Sequence, residues 1–378
     1  MTFLNTERSL ESYLEKIMVM AKSTQDGFKK AYKNFNTFTE TQYKGSEAEQ
    51  ILQEILALKG EKRELAAYNC LQTWINYNEK ILSPSSIRGY FSNISKYHYY
   101  RGIKLTPQDI KENLTFPRKL QQDPHPLTLE EIRKIMSVAS YKRQSIYLAM
   151  TSSGMRIGEV IRIRKKDLDL IGDRVKVNIP AGITKTKRSR ITFLSQEASK
   201  RLRLSELDDN DFVWGTSKKF DTNRALEEMM FRKYLYTVGL TEKDEETGLL
   251  KINLHSFRAY FFTRAAKIHD EGYAHAMTGH GAYLAVYNRL SDEDKLERYL
   301  ELESELLVFD ESRKNAEIHK LKKEKAELEI KNIEVRNLKE KAKNNEERLN
   351  DFEQMLEEFE KFIVTIGGKK ALSWARSL

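Results

Sequence analysis

Ser153-Gly154-Met155-Arg156-Ile157-Gly158-Glu159 is the stretch on which the reading of this chain turns. Gly154 marks a turn, and Arg156 follows two residues later, where a helix starts. Glu159 lies three residues on, one turn up the same helix. Alone, the pair is an ordinary i, i+3 surface ion pair that contributes little. A planar guanidinium at such a turn can also grip two phosphate oxygens at once. Glu159 would then orient or pack the site.

Three other fragments downstream carry matching groups. Leu254-His255-Ser256-Phe257-Arg258 sets His255 and Arg258 one helical turn apart on one face. Thr184-Lys185-Thr186-Lys187 lies between two runs of alternating residues, Arg174 to Pro180 and Arg190 to Leu194. These runs read as two antiparallel strands joined by a basic turn. Lys185 projects from its tip, with Lys187 as the rival. Lys187, Arg188 and Arg190 are the cations expected to touch a polyanion backbone non-specifically. Gly279-His280-Gly281-Ala282-Tyr283-Leu284-Ala285-Val286-Tyr287-Asn288-Arg289 closes the series. With 18 tyrosines in the chain, one tyrosine means nothing until it follows a Gly-His pair.

The surrounding pattern is mostly helical. Leu10 to Ala21, Glu47 to Leu58 and Lys62 to Asn78 are amphipathic stretches. A fourth helix begins at Ser83-Pro84, with Ser83 as N-cap and Pro84 at the first helical position. Ile87, Tyr90, Phe91, Ile94 and Tyr97 form its apolar stripe, while Arg88, Lys96 and His98 fall elsewhere. That is either a core helix with a solvated face or a helix laid on nucleic acid, with Arg88 and Lys96 on phosphate. Lys111 to Pro126 is polar and holds three of the six prolines, so it reads as an extended linker. Thr128 and Glu131 then form a capping box. Tyr141 to Ser152 and Arg156 to Ile163 follow as helices, and helices resume at Glu197, Thr222 and His255.

From about Glu311 the character changes. Leu321, Leu328, Val335, Ala342, Leu349, Leu356 and Ile363 recur every seventh residue. Phe352, Phe359 and Ile366 fill the companion position three later, which is polar earlier, at Glu324, Lys331 and Asn345. This is a coiled-coil pattern, firm in its second half and loose in its first. The other reading is one long charged helix folded back on the body. Lys369 to Leu378 is a short tail.

A net charge of +9 favours a polyanionic partner. The single cysteine, Cys70, sits in a helical apolar pattern; it permits no internal disulfide and no cysteine-rich zinc site. No apolar run reaches the ~20 residues of a membrane span, and the N-terminus has no charged-then-apolar leader pattern. There is no Gly-rich phosphate loop and no clustered carboxylate set for a metal. The expectation is a cytoplasmic protein, nucleoid-associated while it acts, with no cofactor, no metal and no small-molecule substrate.

The order Arg156, Lys185, His255-x-x-Arg258, Gly279-His280, Tyr287 resembles the catalytic domain of the tyrosine recombinase (phage integrase) family. Tyr283-Leu-x-x-Tyr287-x-Arg289-Leu-Ser, with Tyr299 and the residues up to Phe309, is most similar to integrases of archaeal mobile elements and viruses. The resemblance covers roughly Ser83 to Phe309, its first part matching the family's helical core-binding domain. It implies a mainly α fold with a small antiparallel sheet. With the linker and the heptad pattern, which is not part of the family's common pattern, it divides the chain into a DNA-binding domain at 1–110, a linker at 111–126, a catalytic domain at 127–310, a coiled coil at 311–366 and a tail at 367–378.

The resemblance also implies the chemistry. Tyr287 would attack the scissile phosphate and form a 3′-phosphotyrosyl bond. Arg156 and Arg258 would clamp the non-bridging oxygens, Lys185 would protonate the leaving 5′-oxygen, His255 would assist proton transfer, and His280 would hydrogen-bond the phosphate. The partner would be duplex DNA, bound by a homo-tetramer that the coiled coil helps to hold. The interval from His280 to Tyr287 is seven residues, shorter than is common in the family, so Tyr283 stands as the rival nucleophile. Integration and excision of a mobile element is the leading role. The alternatives are an inactive DNA-binding protein of the same fold, and a resolvase or transposase with the same chemistry.

Overall fold

Ser83 does cap its helix: its hydroxyl accepts from Ser86 N–H, Pro84 opens the helix, and Gly102 closes it in a left-handed turn. The computed structural model describes residues 8–119, 125–215, 219–279 and 290–375. Within them the chain is mainly helical with one three-stranded antiparallel sheet. It divides into two compact units, one of residues 1–123 with 244–249, the other of residues 124–243 and 250–378.

The first unit holds α1 (Leu10–Met18), α2 (Lys22–Gln42), α3 (Ala48–Ala57), α4 (Glu61–Glu79), α5 (Pro84–Arg101) and α6 (Pro107–Asn113). The first amphipathic run ends earlier than its pattern predicts, at Met18, and a separate helix, α2, begins at Lys22. Phe28, Ala31, Phe35 and Phe38 of α2 are buried, and Phe35 packs against Trp74 and His98. His98 therefore belongs to the core, not to the solvated face of α5. It is fully buried, and its Nδ1 lies 2.9 Å from Ile94 O. Burial pushes its pKa down to about 4. Cys70 is also core, its thiol pushed up to about 11 by burial. The expected linker is helical at its start, because Thr106 caps α6 and Pro107 opens it.

The second unit opens with α7 (Leu129–Val138), whose capping box pairs Thr128 with Glu131 as the sequence predicts. Then come α8 (Tyr141–Ser153) and the single-turn α9 (Ile157–Val160). The sheet is β1 (Leu168–Ile171), β2 (Arg174–Ile179) and β3 (Arg190–Leu194), in that spatial order. The two expected strands pair with Ile179 opposite Arg190, and β1 is an addition to the sequence reading. α10 (Gln196–Ser199), α11 (Phe220–Thr237), α12 (His255–Ile268), α13 (Glu271–Thr278), α14 (Asp292–Leu306) and α15 (Asp310–Ala375) complete it. α15 runs on to Ala375, so the segment read as a tail is helical up to that residue. None of the described helices is long and apolar enough to cross a membrane.

α8 is buried all round from Ser145 onward. The carbonyls of its last turn have no partner within the helix, and side chains from distant elements supply one. Tyr299 OH donates to Ser152 O at 2.9 Å, and Thr192 Oγ1 to Ser153 O at 2.8 Å. Gly154 ends the helix at φ +65°, and a Cβ there would lie 2.5 Å from Phe261 Cδ1, so glycine is required twice over. Glu197 of α10 accepts the backbone N–H groups of Val308 and Phe309, each at 2.8 Å. Arg133 of α7 donates to Val308 O at 2.7 Å and to Asp310 Oδ1 at 2.5 Å. These bonds fix the root of α15.

Candidate active site

Arg156 is the N-cap of α9, in extended conformation straight after the Gly154 turn. Its N–H donates to Glu159 Oε2 at 2.9 Å, and its guanidinium to Glu159 Oε1 at 3.1 Å. The pair expected at the surface is thus half a surface pair. Arg156 keeps 23% of its side chain exposed while Glu159 keeps 2%.

Glu159 has a second partner thirty-one residues away. Arg190, the first residue of β3, donates to both carboxylate oxygens, at 3.1 and 2.6 Å. Its Nε donates to Met277 O at 3.0 Å. Burial drives the Glu159 carboxyl upward, but the Arg190 bonds and charge, then Arg156, hold it below the usual carboxylate range. Arg190 was expected among the backbone-contacting cations. Its side chain is only 9% exposed and its guanidinium is engaged inside the protein, so it stands here as a support for Glu159. Gly279 makes room for it: a Cβ there would lie 3.0 Å from Arg190 Cδ.

Arg258, one turn into α12, is fully buried. Its two terminal nitrogens donate to Gly154 O and Thr278 O, and its Nε has no hydrogen-bond partner among the described residues. Burial, then the charges of Arg156 and Arg190, push its pKa down to about 9, against the pull of Glu159. It is still a cation at neutral pH. Among the described residues, Arg156 and Arg190 bond the Glu159 carboxylate and Arg258 lies within reach of its charge, so positive charge is in excess in a partly dry place. Such a cluster is preorganised for an anion, because its cost is relieved when negative charge arrives.

His255 heads α12 with an exposed side chain, its N–H bonded to Asn253 Oδ1 at 2.8 Å. Desolvation, then the charges of Arg258 and Arg156, hold its pKa below the ordinary imidazole value. The ring is neutral at pH 7 and able to accept a proton.

Lys185, Lys187 and Arg188 are exposed on the β2–β3 connection. Buried Thr184 ties that connection together: its hydroxyl donates to Ala181 O or Arg188 O and accepts from Arg188 N–H. Arg162, not singled out from the sequence, ties it to α9. Its guanidinium donates to Gly158 O at 2.8 Å and Ile183 O at 2.6 Å, and lies 4.2 Å over the Phe220 ring. An arginine six residues after Arg156 was the available signal. In the first unit, Arg88 and Lys96 are exposed on α5, and Arg88 stacks over Phe116 at 4.7 Å. His280, Tyr283 and Tyr287 lie outside the described residues.

Residues 125–293 match the model of the phage integrase family. This part of the chain is similar to that family. Among solved structures, the chain is similar to the Tn1549 transposon integrase in complex with transposon right end DNA. The identity is 16%, over 76% of this chain and 97% of that one, with a TM-score of 0.50. A lambda integrase dimer bound to a COC′ core site matches at 15% identity over 75% and 96% of the two chains, TM-score 0.47. A XerH site-specific recombinase bound to difH substrate matches at 16% over 76% and 82%, TM-score 0.47. No curated protein sequence matches the chain. The family match spans Arg156, Lys185, His255 and Arg258.

Proposed function

We propose that this protein is a site-specific DNA recombinase that cuts and rejoins duplex DNA through a 3′-phosphotyrosyl intermediate. The observation that carries the reading is the excess positive charge of Arg156, Arg190 and Arg258 around the single buried carboxylate of Glu159. A scissile phosphate gains a further negative charge as a fifth oxygen approaches phosphorus, and this cluster favours that state.

In this scheme Tyr287 attacks phosphorus, the bond to the 5′-oxygen breaks, and Lys185 gives that oxygen its proton. Neutral His255 takes the tyrosine proton. Arg156 is the accessible phosphate ligand and His280 a further donor. Arg258, sealed from solvent, raises the local positive potential at the phosphate. The phosphotyrosyl bond keeps the energy of the phosphodiester, so rejoining needs no nucleotide. The helical first unit serves as the core-binding domain, with Arg88 and Lys96 on phosphates. Four chains act together on two duplexes, and the role is integration and excision of a mobile element. The Tn1549 integrase, whose structure is a DNA complex, supports duplex DNA as the partner.

The test is a nicked suicide duplex from the attachment region of the protein's own element, incubated in EDTA and run on a denaturing gel. A protein–DNA band that disappears in Tyr287→Phe is the expected result. A band lost in Tyr283→Phe and kept in Tyr287→Phe moves the nucleophile. No covalent band, with binding intact, replaces this reading by a non-catalytic DNA-binding role.

A further inference from the structure

We propose that α15 binds a second copy of this chain, parallel and in register, through residues 335–363, with or without DNA. The inference goes beyond the recombinase reading and does not depend on it.

α15 is one uninterrupted helix of 66 residues, about 100 Å long at 1.5 Å per residue. Val335, Leu338, Leu349, Leu356 and the two phenylalanines Phe352 and Phe359 stand 48–61% exposed along it. With Ala342 and Ile363 they occupy the a and d positions of successive heptads, and Asn345 is the one polar residue among them. Met355 and Phe362, at flanking g positions, are 63% and 60% exposed and widen the stripe. So long an apolar seam without a cover is costly in water.

The charges beside the seam say what covers it. In a parallel, in-register pair, a g residue faces the e residue five positions later on the partner helix. Three consecutive pairings of that kind are then Glu334 with Lys339, Lys341 with Glu346, and Arg348 with Glu353. Each is a cation against an anion, and each occurs twice by symmetry. None of these six residues has an ion pair within its own chain among the described residues; the helix's own i, i+4 pairs, Lys325–Glu329 and Lys343–Glu347, are made by other residues. An antiparallel pair instead sets g against g and e against e. Centred on this stretch, it sets Lys341 against Lys341 and Glu346 against Glu346, like against like, and leaves only Glu334 with Arg348 and Lys339 with Glu353 as opposite charges, against three opposite pairings and no like pairing in the parallel register. Upstream, Glu324 and Lys331 at d positions would meet their own copies in a parallel pair, so the seam closes only from Val335 onward.

The experiment is sedimentation equilibrium on the full chain without DNA, from about 1 to 50 μM, the micromolar range typical of such measurements. The expected mass is twice 44.3 kDa. Leu349→Asp with Leu356→Asp should return it to one chain, while helicity in the core keeps the body folded. Orientation is read by Phe359→Cys in a Cys70→Ser background. A disulfide-linked dimer forms rapidly if the helices run parallel and in register, and not if they run antiparallel. A single-chain mass across the range, or no cross-link at position 359, overturns the proposal. Covalent DNA cleavage is scored separately, so a monomer that still cleaves refutes this inference alone.

Discussion

Replacing Glu159 with glutamine keeps the side chain's shape and deletes its charge. Arg156, Arg190 and Arg258 then face one another with no anion between them among the described residues. Because Glu159 is 2% exposed, the loss should approach the roughly 3 kcal/mol typical of a broken buried pair, seen as a lower urea midpoint. The pH sign follows from its depressed carboxyl. Its stabilisation is fully present above the unfolded carboxylate value of about 4.3 and is lost as pH falls through the lower folded value. In Glu159→Gln that acid-range slope should vanish. The sequence made the Arg156–Glu159 half of this arrangement visible, because three residues on a helix are neighbours by construction. It hid the Arg190 half. In a run of four cations, nothing local tells which one turns inward, since the partner is supplied by another element thirty-one residues earlier.

At the scale of elements, Gly154 is the joint between α8 and the turn that carries Arg156. Gly154→Ala must hold alanine at φ +65° and push its methyl into Phe261. The left-handed strain and the overpacking together should cost roughly 2–4 kcal/mol. Thermal unfolding measures the loss, and the displaced Gly154 carbonyl also weakens its bond from Arg258, so cleavage should fall in protein that remains folded. Elements with chemical punctuation were legible: Ser83-Pro84 and the Thr128–Glu131 box start helices where expected. Elements held by packing were not. β1 is four residues, Leu-Asp-Leu-Ile, with no clean alternation, and it exists because β2 offers a ladder. α2 is rich in threonine and asparagine, poor helix formers, and owes its state to four buried apolar residues.

For the whole molecule, the two units should answer acid differently. His98 in the first unit has its folded pKa lowered to about 4 by burial. The unfolded chain takes up a proton below about 6.5 while the folded one resists until about 4, so stability falls as pH drops through that window. The full difference is about 3 kcal/mol, on the order of 1.4 kcal/mol per pKa unit. His98→Phe should flatten the pH dependence of the first unit's melting between pH 7 and 4; an unchanged slope would place the sensitivity elsewhere. The sequence read His98 as lying off the apolar stripe, since helical spacing cannot show that α2 packs over that side with Phe35.

The root of α15 bears on how such a molecule handles load. Glu197 holds two backbone N–H groups and Arg133 holds a carbonyl and Asp310, four bonds across three consecutive residues. A stalk held by four bonds turns less freely than one joined by slack chain. Torque on its far end is delivered to α7 and α10, and through α10 to the edge of the sheet, instead of being absorbed by slack chain. Two bodies whose stalks are joined are therefore geared: turning one turns the other.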